Sequence, residues 1–289
     1  MSMLIGVAAS LGAALCWTTT AALLKLGSSK SQPLTANAIR VTAGTVGSIL
    51  LVLLAGEVNV FLTPDLVAFT IAFVAGLLGI VLGDTLYIYA LKSVGVARVM
   101  PVANTYPLFS TLGAFLFLGE EISLQVVVGA LIIIFGLWLI SPKGEQKSSF
   151  TVKNFFITLI CAPIWGAGIL LLSYALNYYS VIALNAVRLP LIALILVGFA
   201  YSRGYNPRKL DRRTILVLGL AGILGLTIGN LLFLLGIDSI GVARAVPLSS
   251  TSPIFSTIVG STFLHEKVSL KVYLSAVLVV LGIIQITTG

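Results

Sequence analysis

Residues 95–120 read GVARVMPVANTYPLFSTLGAFLFLGE, and residues 241–266 read GVARAVPLSSTSPIFSTIVGSTFLHE. The two stretches align without a gap at an offset of 146 residues, which places Pro101 on Pro247, Pro107 on Pro253 and Glu120 on Glu266. Each opens with Gly-Val-Ala-Arg, sets two prolines six residues apart, runs apolar and stops at an acid. A proline inside a helix removes one backbone hydrogen bond and displaces the carbonyl four residues earlier. The stretch therefore reads as an apolar helix broken in its middle, and the chain contains it twice.

The duplication reaches further upstream. Ala75, Gly76, Gly79 and Gly83 recur as Ala221, Gly222, Gly225 and Gly229 at the same offset, and Trp17, Asn37 and Arg40 recur as Trp165, Asn185 and Arg188 at an offset of 148. With 58% hydrophobic residues, 9% charged and a mean hydropathy of +1.13 over 289 residues, the chain is not an ordinary soluble domain, which carries about a quarter charged residues. Ten apolar spans are expected, near 4–26, 34–54, 66–91, 97–118, 124–140, 154–176, 181–201, 214–236, 243–264 and 270–288. Most are about 20 residues, long enough to cross roughly 30 Å of hydrocarbon. The polar break around 141–153 divides them five and five. Because five is odd, the second copy enters the membrane upside down. The expected fold is an all-α integral membrane protein of ten transmembrane helices, built as two inverted five-helix repeats over residues 1–142 and 143–289. Such repeats are a mark of secondary transporters, whose site lies near the midplane between the copies.

The net charge of +8 sits in short loops. Charges placed there orient a membrane protein and do not call for nucleic acid. One face collects Lys25, Lys92, Lys143, Arg203, Arg212 and Lys267, the other Glu57, Asp65, Glu120 and Asp238. The equivalent loops 56–65 and 202–213 are acidic and basic, as inversion requires. By the positive-inside rule the basic loops are cytoplasmic, and both termini of this multi-pass protein of the cell membrane lie outside. The first span lacks a basic leader and belongs to the repeat, so it reads as a retained helix. Cys16 and Cys161 both fall inside apolar spans and give no sign of a disulfide or a metal.

The residues around each break carry the chemistry. Pro107 and Pro253 displace the carbonyls of Ala103 and Ser249, and a freed carbonyl in hydrocarbon must find a partner or water. Asn104, Thr105 and Tyr106 stand beside one break, Ser249, Ser250, Thr251 and Ser252 beside the other. Two readings stand: a polar kink lining a cavity, with Pro107 and Pro253 as hinges, or a kink satisfied by neighbouring helices. Occurrence in both halves favours the cavity. The Gly79/Gly83 and Gly225/Gly229 faces read as close-packing surfaces. Asp84 is an acid inside an apolar span, and its counterpart is Asn230. An acid there costs about 2.5–3.5 kcal/mol, so such residues tend to serve pathways or proton relays. Asp84 is accordingly the candidate for coupling ion or substrate amine, against a structural Asp bonded to Asn230, a tyrosine or a neighbouring helix.

Trp17 and Trp165 either line the cavity or pack. Arg40 and Arg188, each three residues after an Asn, either snorkel to the headgroups or touch substrate. Arg98 and Arg244 read as interface anchors, Glu120 and Glu266 as organisers of the following turn, and His265 as a structural or solvated residue. No HExxH, GxSxG or nucleotide-binding loop occurs, so no catalytic residue, metal or cofactor is expected.

The doubled five-helix unit, the Ala-Arg-x-x-Pro-x-x-x-x-x-Pro core and the Phe-Leu-x-Glu ending before a Gly-containing apolar helix (Gly136, Gly282) resemble the drug/metabolite transporter superfamily, EamA type, over essentially the whole chain. The resemblance implies a central cavity walled by spans 1–4 and 6–9, with spans 5 and 10 outside it. It implies export or exchange of amino acids and related small polar metabolites, driven by protons or by a counter-substrate. Carried onto this sequence, it places Trp17, Asp84, Tyr87, Asn104, Tyr106, Trp165, Asn230, Ser250 and Ser252 in the cavity wall. Members of the family are described with both termini in the cytoplasm, whereas the charges here place them outside. The expected partners are a small-molecule substrate, the lipid bilayer and a proton or counter-substrate, with the chain a monomer or weak dimer. Two rivals share the sequence features: a proton-coupled multidrug exporter with Asp84 as the switch, and a membrane sensor or interaction protein that carries no flux.

Overall fold

A computed structural model describes residues 2–28, 31–63, 65–87, 90, 103, 105–139, 152–204, 210–252, 254–255 and 270–289, and these contain helix and no strand. In chain order the main helices are α1 (Ser2–Ser28), α2 (Pro33–Ala55), α3 (Leu66–Gly76, running on through a π-helical segment Leu77–Gly83), α4 (Tyr106–Leu118), α5 (Leu124–Leu139), α6 (Val152–Ala175) and α7 (Val181–Ser202). There follow α8 (Arg212–Gly222, a π-helical segment Ile223–Gly229, then Asn230–Ile240), α9 (Val242–Ser249) and α10 (Leu270–Thr288). Of these, Ser2–Leu24, Pro33–Ala55, Leu66–Tyr87, Val181–Ser202 and Arg212–Ile240 are long and apolar enough to cross a membrane, and Tyr106–Leu118, Leu124–Leu139, Leu159–Ala175 and Leu274–Thr288 are shorter apolar helices. Much of the quoted stretches, including Arg98, Pro101, Asn104, Pro253, His265 and Glu266, lies outside the described residues.

Side chains are distributed for lipid, not water. Leu54, Phe117, Leu124 and Leu270 are largely exposed, while the buried surface is rich in Ala and Gly, with Ala13, Ala14, Ala38, Ala114 and Ala245 fully covered. In a bilayer large apolar residues lose nothing by facing outward, and small ones let helices approach. The chain is an all-α, multi-pass membrane protein.

Local sequence sets the helix ends. Asp65 accepts hydrogen bonds from the N–H groups of Val67 and Ala68 at 2.9 Å, and Asp211, 146 residues later, accepts from that of Thr214 at 2.9 Å. These aspartates cap the equivalent helices α3 and α8. Gly56 closes α2 at φ 72°, a conformation that costs glycine little.

The packing crosses between halves. α1 runs antiparallel to α8: Gly6 lies against Ile240, Gly12 against Leu232 and Gly27 against Leu218. α6 runs antiparallel to α3 in the same way, with Gly168 on Gly79 and Trp165 on Gly83. α5 and α10 are antiparallel too, Gly129 against Gly282 and Gly136 against Val279, with the Ser275 hydroxyl donating to the Gly136 carbonyl at 2.6 Å. α2 packs on α7.

Two expectations need correcting. Glu120 does not organise the turn that follows it. Its carboxylate accepts the N–H groups of Val242 and Ala243 at 2.7 and 2.9 Å, capping α9 in the other half. The four N–H groups at a helix start have no internal partner, and an acid there also meets the positive end of the helix dipole. Pro107 is not a mid-helix kink, because it sits in the first turn of α4, where its missing N–H costs nothing. The second copy is broken as well: α9 ends at Ser249, Ser250 and Thr251 form a turn, and helix resumes at Ser252.

Candidate functional site

The repeated π-helical segments position the site. In an α-helix the carbonyl of residue i meets the N–H of i+4, and a π turn shifts that pairing by one residue. The Gly79 carbonyl accepts the Asp84 N–H, and the Gly225 carbonyl accepts that of Asn230. Each of these carbonyls also accepts an indole N–H from the other half: Trp165 to Gly79 and Trp17 to Gly225, both at 3.2 Å. The glycines make room for those indoles. A Cβ at Gly83 would overlap the Trp165 ring, and one at Gly229 would lie 3.0 Å from Nε1 of Trp17. The Gly-xxx-Gly faces thus admit tryptophans, a role finer than the helix–helix contact expected of them. Gly79 has open space where its Cβ would be.

The rings repeat the pattern. Trp17 stands 5.1 Å from Phe233 at 55°, and Trp165 stands 5.1 Å from Tyr87 at 55°, with Tyr106 edge-on to Trp165 at 5.9 Å. Offsets and tilts of this kind suit the quadrupoles of aromatic rings.

Between the rings lies a cavity of about 380 Å³. Trp17, Asp84, Tyr87, Tyr106, Trp165, Asn230, Ser250 and Ser252 all line it, and Asn104 lies outside the described residues. Ser249, Ser250 and Thr251 turn their hydroxyls onto the carbonyls of Val246, Pro247 and Leu248 at 2.7–2.9 Å, satisfying the end of α9 at the break. Thr18 donates to the Ser252 carbonyl at 2.8 Å, tying α1 to the same turn.

The charged pair was the part that sequence reading missed. Nη2 of Arg40 donates to Oδ2 of Asp84 at 2.6 Å, and Nε of Arg40 donates to Oδ1 of Asn37 at 3.2 Å. The Asp84 side chain keeps 25% of its surface accessible, and that surface opens on the cavity. In the other half Arg188, only 3% exposed, donates from Nε and Nη2 to Oδ1 of Asn185 at 3.1 and 2.8 Å. Nδ2 of Asn185 donates to the Leu226 carbonyl at 3.2 Å, whereas Nδ2 of Asn37, its equivalent, is buried with no partner among the described residues. Neither arginine snorkels to a headgroup. The available signal was the doubled Asn-x-x-Arg, with an acid for only one of its two arginines.

The sequence matches the EamA-like transporter family over residues 4–141 and again over residues 153–288. It is 28% identical to an uncharacterized transporter of Archaeoglobus fulgidus over 95% of each chain. It is 27% identical to a putative sugar uptake protein of Listeria innocua over 73% of this chain and 76% of that one. With a glucose uptake protein of Staphylococcus xylosus it shares 28% identity over 62% and 64% of the two chains. A solved crystal structure shares the fold, with a TM-score of 0.80 at 22% identity, covering 98% of this chain and 95% of the other.

Proposed function

The chain belongs to the EamA-like transporter family, and on that premise we propose that it is a secondary carrier of small polar solutes working by alternating access. In this reading α1–α5 and α6–α10 are inverted halves that rock or gate about the central cavity, with the breaks at Pro107 and Pro253 as hinges. The antiparallel runs of α1 on α8, α6 on α3 and α5 on α10 support inversion, because each joins helices that an upside-down second copy would oppose. A proton gradient or a counter-substrate supplies the driving force, with Asp84 as the coupling group. The basic loops face the cytoplasm.

The observation that carries the reading is the cavity itself. At about 380 Å³ it falls in the range of small-molecule sites, roughly 300–1,000 Å³, and it is lined by rings with a few convergent polar groups. Indoles beside Arg40, Asp84, Asn230 and Ser250 suit a sugar, whose apolar face stacks while its hydroxyls bond. They suit an amino acid too, whose ends would part the Arg40–Asp84 pair. The names of the Listeria and Staphylococcus relatives favour the sugar class. A cationic drug is disfavoured, because Asp84 already holds Arg40 and Arg188 lines the same space.

Counterflow in liposomes tests the carrier: vesicles loaded with an unlabelled sugar or amino acid should draw in the labelled solute above its equilibrium level. No overshoot across a broad panel of both classes would favour the sensor.

A further inference from the structure

Among the described residues the cavity is lined by three charged side chains, Arg40, Asp84 and Arg188. One acid against two arginines leaves the lining one positive charge in excess. Guanidinium groups stay charged, so the excess cannot be removed by losing a proton. A cation buried at membrane depth without a counterion is costly.

The repeat shows what is lacking. Arg40 and Arg188 are equivalent, and both rest their Nε on an Asn three residues earlier. Nη2 of Arg40 goes on to the Asp84 carboxylate. The place of Asp84 in the second half is taken by Asn230, and Nη2 of Arg188 turns back to Asn185. The bonds from Arg188 go to Asn185 from Nε and Nη2, none among the described residues is made from Nη1, and Asn230 lines the same cavity.

We propose that the transported solute carries a carboxylate and one net negative charge, and that Arg188 and Asn230 bind that carboxylate as Arg40 binds Asp84. This rests on the carrier reading and narrows it: a hydroxylated carboxylic acid of sugar size would use the indole walls and the unpaired guanidinium together. Charge-assisted hydrogen bonds contribute about 1.5–3 kcal/mol, so the carboxylate should be preferred over its neutral analogue by roughly ten- to a hundredfold.

Thermal unfolding of the purified full chain tests this with paired solutes: gluconate against glucose, glycerate against glycerol, lactate against alanine. The acids should raise the unfolding midpoint at concentrations about tenfold or more below those their partners need. Arg188→Gln should abolish the preference and Arg188→Lys should keep part of it. Asn230→Asp gives Arg188 a counterion of its own, so it should raise the midpoint of the empty protein and remove the response to acids. Stabilisation by glucose or alanine at concentrations no higher than the acids require overturns the proposal and leaves the carrier standing. So does an Asn230→Asp protein that still answers the acids as the parent does. No response to any acid also overturns it, and counterflow of the neutral and zwitterionic solutes then decides separately whether the chain is a carrier.

Discussion

Asp84 reaches Arg40 across 44 positions of sequence, and the bond between them sets much of the chemistry of the cavity. Removing one member of a buried pair strands the other, at a cost of about 3–5 kcal/mol, with the lower end expected here because the pair opens on the cavity. Asp84→Asn and Arg40→Gln should each lower the unfolding midpoint clearly, and the double variant should recover part of the loss. Additive losses in that cycle would mean the two side chains do not depend on each other. Glycines at this scale separate packing from function. Gly83→Ala drives a Cβ into the Trp165 ring and should cost about 1–3 kcal/mol. Gly79→Ala meets nothing within 4 Å. It should leave the midpoint unchanged while cutting flux, since its methyl would stand in the cavity. Equal effects of the two on stability would argue against this placement of the indole. The polar groups at matched positions in both halves were legible in the sequence, with their place in a cavity wall implied by the family resemblance. Their partners were not. An arginine two turns into a span reads the same whether it meets a headgroup or an acid on a neighbouring helix, and only the packing of α2 on α7 and α8, which leaves Arg40 within reach of Asp84, decides.

Elements are joined across the halves by backbone groups that side chains satisfy at a distance. Glu120 caps α9 from the end of α4, and Trp17 and Trp165 bond the carbonyls of the π-helical segments. Glu120→Ala leaves two N–H groups unmet at the start of α9 and should cost about 1–2 kcal/mol. Asp65→Ala and Asp211→Ala remove equivalent caps at exposed positions and should cost about 0.5–1 kcal/mol each. Glu120→Ala should also speed proteolysis near residues 241–250, which the other two variants should not, and digestion followed by mass spectrometry reads the difference. Loss of the cap without faster cleavage there would show that α9 is held by packing alone. Five long apolar helices, such as Pro33–Ala55 and Val181–Ser202, could be read from composition, since runs of about 20 apolar residues permit little else. The π-helical segments could not. A one-residue shift of hydrogen bonding leaves no compositional trace beyond glycine, and glycine spaced by four reads first as a packing face.

For the whole molecule, the two matched halves differ in how their equivalent asparagines are bonded. Nδ2 of Asn185 donates to the Leu226 carbonyl, while Nδ2 of Asn37 is buried with no acceptor among the described residues. The acceptor equivalent to Leu226 is Ile80. Under alternating access by inverted halves, each half takes the other's conformation when the cavity opens to the opposite side. Asn37 should then bond Ile80 while Asn185 loses Leu226. Alanine at either position also removes a carbonyl contact to the following arginine, so the difference between the two variants isolates the Nδ2 bond. Such a bond contributes about 0.5–1.5 kcal/mol, enough to shift a two-state population by roughly two- to tenfold. Asn37→Ala should enrich the state described here, and Asn185→Ala should deplete it. A cysteine in place of Ser250, on a background with Cys16 and Cys161 replaced by alanine, reports the balance through its labelling by an impermeant maleimide added from one side or the other. The two variants should move that labelling in opposite directions. Movement in the same direction would show that the asymmetry of the asparagines belongs to the sequence of each half and does not exchange between them.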